Sequence, residues 1–110
     1  MKMAEVSAEM LEEKMRLAEK MLEKAGAVPL EINQKNREIL NQRQTYLYEN
    51  TYYRIDHAEF DGEAFLIVSC IDIEKYAAIG LMEDVEAIPL DASEPQIEAS
   101  VRHALGIADG

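Results

Sequence analysis

Apolar and polar residues alternate along Tyr52 to Asp72, YYRIDHAEFDGEAFLIVSCID, with one interruption at Asp61-Gly62. Period-two alternation predicts half-buried strands, and Asp-Gly favours the two positive φ values of a type I′ hairpin turn. A two-residue loop fixes the register: Phe60 faces Glu63, Ala58 meets Phe65, His57 meets Leu66, Ile55 meets Val68 and Tyr53 meets Cys70. Tyr53, Ile55, His57, Leu66, Val68 and Cys70 then share one face, read as core. Tyr52, Arg54, Asp56, Phe60, Phe65, Ile67, Ser69 and Ile71 share the other, which is mixed and expected to be partly wet.

The period changes at both ends of the chain. Met3, Val6, Met10, Leu17 and Met21 fall at three- and four-residue steps, flanked by Leu11, Ala18 and Leu22, which predicts a helix over Ser7 to Ala25. Ser7 suits its N-cap and Gly26 its C′ position. Met15 breaks the apolar stripe, so it is a candidate for a partner-facing surface, where methionine's flexibility is useful. Near the other end, Ser93-Glu94-Pro95-Gln96 is a capping box with proline in the first turn. Ile97, Val101, Ala104 and Leu105 form one apolar face of the helix it opens, and Gly106 ends it.

Between these, the pattern is weaker. Ala27 to Ile32 reads as a connection or short edge strand, with Pro29 removing one ladder hydrogen bond. Asn33 to Gln44 is polar and fits a short solvent-facing helix or a loop. Tyr46, Tyr48, Tyr52 and Tyr53 crowd the approach to the hairpin as a half-buried strand edge. Lys75 to Met82 is read as a third meander strand, with a helix capped by Asp72 as the competing reading, Glu83, Asp84 and Glu86 as a surface turn, and Ala87 to Leu90 as a returning apolar run. The whole is an α+β fold: an N-terminal helix, an antiparallel β-meander around a central hairpin, and a C-terminal helix, in two layers. With 110 residues, a single domain over 1–110 is expected.

Charge alters the functional picture. The chain carries 11 basic and 22 acidic residues, a net −11. Residues 58–110 hold twelve acids against two bases, Lys75 and Arg102, so −10 of the −11 lies there. This disfavours nucleic acid and anionic membrane as partners, and suits either a basic protein partner or simple solubility. Cys70 is the only cysteine, which precludes an intramolecular disulfide and suits the reducing cytosol. No apolar run approaches the roughly 18 residues of a membrane span, and the N-terminus lacks an apolar signal core. A cytoplasmic location is expected.

Candidate chemistry is sparse. His57 and Cys70 share a face but stand four residues apart along the ladder, about 13 Å by strand rise. A satisfied core histidine and an inert buried thiol are therefore expected. Glu83, Asp84 and Glu86 supply hard oxygen donors, yet no calcium-loop pattern surrounds them. No phosphate-binding glycine loop is present, and no catalytic residue, metal or cofactor is expected.

The helix, the meander, and then AIPLDASEPQIEASVRHALG as a strand running into a capped helix resemble small bacterial immunity proteins of contact-dependent or polymorphic toxin systems. The resemblance implies a non-enzymatic antitoxin that neutralises a basic toxin, such as a nuclease, through an acidic surface. Asp61, Glu63, Glu83, Asp84 and Glu86 are the candidate partner-binding residues. Two other readings stay open: an acidic secretion chaperone that uses the methionine-bearing helix to hold an effector segment, and a small ligand-binding or enzyme domain built on His57 and the tyrosines.

Overall fold

The computed structural model describes residues 2–31, 44–71 and 82–107. The expectations for residues 33–43 and 75–81 lie outside these. Helix α1 spans Ala8–Lys24, and its N-cap Ser7 accepts a hydrogen bond from the Met10 amide. Gly26 follows its C-terminus at φ 110°, the left-handed conformation that closes helices without a Cβ clash. Five antiparallel strands come next: β1 Val28–Pro29, β2 Thr45–Tyr48, β3 Thr51–Phe60, β4 Glu63–Ile71 and β5 Met82–Pro89. They lie in the sheet in chain order, a simple meander. Helix α2 spans Glu94–Ala104 behind the capping box of Ser93 and Gln96, with both reciprocal bonds made.

The central hairpin has the register that its turn dictates. All nine β3–β4 pairs run from Phe60↔Glu63 to Tyr52↔Ile71, with His57 opposite Leu66 and Tyr53 opposite Cys70. Asp61 and Gly62 both take positive φ, 51° and 81°, as a type I′ turn requires. A second tight hairpin joins β2 to β3 at Glu49 and Asn50, also at positive φ. The short edge strand expected near Pro29 is β1.

Helices α1 and α2 cover the face carrying Tyr53, Ile55, Leu66 and Val68. Leu22 of α1, Ile97 and Val101 of α2, and Ile55, Leu66, Val68 and Ile88 of the sheet form one buried cluster. Each fully buried aliphatic side chain contributes roughly 1.5–3 kcal/mol to folding. Lys24 Nζ reaches Glu98 at 3.2 Å, tying the exposed end of α1 to α2.

Several expectations need correction. Met15 is buried, at 3% exposure, beside Ala18, Met21 and Leu22 on the core face of α1, with Leu11 and Leu17 packed against the same cluster; Met10 is only half-buried. Glu83, Asp84 and Glu86 do not form a turn but lie within β5. The second sheet face is not wet at its centre, where Thr45, Arg54, Ile67, Ser69 and Ile71 are buried. It opens to solvent at the hairpin end, at Phe60, and along β5, at Asp84 and Ala87. His57 is an exposed residue, not a core histidine, and Cys70 is half-buried.

Candidate partner-binding surface

The five candidate acids occupy two separate places. Asp61 sits exposed at the tip of the β3–β4 hairpin, and Glu63 starts β4 beside it, where its backbone bridges to Lys2. Glu83 stands opposite Cys70 at the far end of β4. Seven residues of strand separate Glu63 from Cys70, about 23 Å by strand rise. Thus Asp61 and Glu63 make one acidic locus, and Glu83, Asp84 and Glu86 another.

The second locus is shaped by an irregularity in β5. Ser69 pairs with Asp84 and Val68 with Glu86, so Val85 is an extra residue in the ladder. One extra residue bends the strand and reverses the facing of the positions beyond it. Asp84 therefore lies on the face of Ser69, whose hydroxyl donates to its Oδ1 at 3.1 Å. Glu86 lies on the helix-covered face, where its Oε2 is 2.9 Å from His103 Nδ1 of α2. Glu83 and Asp84 are exposed, Glu86 is half-buried, and Val85 is 43% exposed at the bulge.

β5 is an outer strand of the described sheet. Edge strands offer unpaired backbone groups, and charged side chains along them discourage pairing between like copies. The acids of β5 suit that purpose. Glutamates at Glu94 and Glu98 on α2 lie in the same acidic half.

A different arrangement appears on β3, which sequence reasoning missed. β3 has ten residues and β2 only four, so among the described residues pairing on that side ends at Thr45↔Arg54. Beside the rest of β3, Ala8, Leu11, Glu12 and Met15 of α1 face Arg54, Asp56 and His57 across a cleft of about 410 Å³. The signal in the sequence was the mismatch in length between TYLY and the longer run after Asn50.

Among the described residues, His57 and Cys70 do not come together as a nucleophile and base. The observed register keeps His57 and Cys70 four residues apart on the ladder. Among the described residues, no three His, Cys, Asp or Glu side chains cluster as a metal site would need. Burial, with the neighbouring Cys70 as a lesser cause, raises the Tyr53 phenol above its usual pKa of 10.0. No helix among the described residues is long and apolar enough to cross a membrane. Comparison of the chain with models of known protein families, with curated proteins and with solved structures finds no match.

Proposed function

We propose that this protein is a non-enzymatic cytosolic binding protein whose acidic half covers a basic partner, as an immunity protein covers a basic toxin. The observation that carries the reading is the exposure of Glu83 and Asp84 on an outer strand, within a stretch of twelve acids and two bases. A nuclease must be basic to hold phosphates, so an acidic surface competes for the same groups and speeds encounter. The chaperone reading relied on a methionine surface along the first helix. Met15, the methionine singled out for that surface, is instead inside the core, which weakens that reading. The ligand-binding or enzyme reading relied on His57 and the tyrosines; His57 is exposed, while Tyr46 and Tyr53 are buried in the core.

The test is the protein encoded immediately upstream in the native genome. A basic toxin whose activity is abolished by an equimolar amount of this chain supports the proposal. An upstream secreted effector, bound without inhibition of any activity, overturns it in favour of the chaperone.

A further inference from the structure

The edge of β3 beyond its described pairing with β2 has its own hydrogen-bonding logic. A two-residue hairpin loop makes Phe60 and Glu63 a pair that exchanges both backbone bonds, and such pairs recur at every second residue. Ala58↔Phe65 and Asp56↔Ile67 are therefore bonded to β4, given the observed register. The backbone groups of His57 and Glu59 point the other way, toward the side that β2 occupies only as far as Arg54. No described strand meets them there, and both residues are exposed. The His57 amide instead donates to the Asp56 carboxylate at 2.8 Å. A charged side chain that occupies an edge amide blocks casual pairing.

We infer that this edge, Asp56 to Phe60, accepts an extended segment of the basic partner by strand addition alongside α1. Backbone pairing to an exposed edge supplies affinity, while pockets beside it select alternate side chains. Ala8, Leu11 and Met15 give an apolar wall to the cleft along this edge. Glu12 and Asp56 line the same cleft, and Glu59 and Asp61 follow as exposed acids along the strand and turn. That combination fits a segment alternating apolar residues with Lys or Arg. It disfavours a second copy of the chain, which would bring the same acids and a net −11 to the contact. Exposed Phe60, packed at a tilt against Phe65 with centroids 5.6 Å apart, adds an apolar end to the track. The inference rests on the reading that the partner is basic, but assigns a site separate from Glu83 and Asp84.

The experiment titrates the intact chain with the peptide acetyl-Lys-Val-Lys-Val-Lys-Val-Lys-amide and follows backbone amides by NMR. The expected result is shifts centred on His57 and Glu59, with slowed hydrogen exchange at both. N-methylation of the peptide amides that face the edge should weaken binding about tenfold or more, since each lost bond is worth that order. The variant Glu59→Pro removes an edge amide that β4 does not use, so it should weaken binding while the chain stays folded. Equal binding of methylated and unmethylated peptides would reduce the effect to charge and overturn strand addition. Shifts centred on β5, or self-association through His57 and Glu59 without peptide, would overturn it too. If strand addition fails while the natural partner still responds to Glu83 and Asp84, the acidic-surface reading survives alone; if neither edge responds, both fall.

Discussion

Asp84 and Glu86 are two residues apart on β5 yet project from opposite faces of the sheet, because Val85 bulges out of the ladder between them. Asp84 accepts the Ser69 hydroxyl on one side, and Glu86 meets His103 on the other. The bulge thus leaves Glu83 and Glu86 on the helix-covered face, opposite Cys70 and Val68, and Asp84 alone on the other; of the three, Glu83 and Asp84 are exposed and Glu86 is half-buried against α2. The His103 side chain is 78% exposed, and pairs so open to water are worth about 1 kcal/mol at most. Glu86→Ala should therefore cost no more than about 1 kcal/mol in denaturant unfolding. A loss above about 2 kcal/mol would show that the contact anchors α2 to the sheet, beyond what an exposed pair supplies.

Val68 is fully buried between the sheet and the helices. Val68→Asp places a carboxylate there without a partner, at a cost of several kcal/mol. The cooperative thermal transition should disappear or fall steeply. An unchanged midpoint would contradict the assigned core face.

Ser93 supplies the cap of α2 and receives the Gln96 amide. Ser93→Ala should cost about 1 kcal/mol, and Ser93→Gly a few tenths. Chemical denaturation of both variants checks the order.

Tyr53 gives a pH dependence with a definite sign. Its folded-state pKa lies above 10.0, mainly because burial disfavours the phenolate. The group is neutral in both states at lower pH, so it contributes no slope there. As pH rises past 10.0, the unfolded chain ionises first and stability falls until the folded pKa is passed. The melting temperature should therefore drop more steeply above pH 10 in the wild type than in Tyr53→Phe. Parallel curves would mean that the phenol titrates alike in both states.

Much of this fold is written in local chemistry. Asp61-Gly62 sets a turn, the turn sets a register, and the register sorts every side chain of β3 and β4 to its face. Ser7 and Ser93 mark where the helices begin for equally local reasons. What escaped the pattern depends on neighbours distant in sequence. Met15 is core because α1 rests against both the sheet and α2, which selects a stripe the periodicity did not favour. Arg54 is buried because the second face is covered at its centre, and a polar residue in an alternating strand gives no sign of that. The β5 bulge broke the alternation at Val85, so Glu83 to Glu86 resembled a turn. The candidate acids were legible as a charge excess, but their separation into two loci needed the register. The stretch of β3 beyond its described pairing with β2 needed the length of β2.

The central claim is that charge on β5 draws a basic partner, and association kinetics test it most directly. The wild type is compared with Glu83→Lys/Asp84→Lys and with Glu13→Lys/Glu23→Lys, two variants that alter the net charge equally. Association with the upstream-encoded protein is measured at low and physiological ionic strength, where the screening length shortens to about 8 Å. The account predicts that added salt slows wild-type association strongly, that the α1 variant keeps most of this dependence, and that the β5 variant associates slowly with little response to salt. Equal rates and equal salt dependence for the two variants would contradict it, and would leave the acids of β5 as guards of an exposed edge.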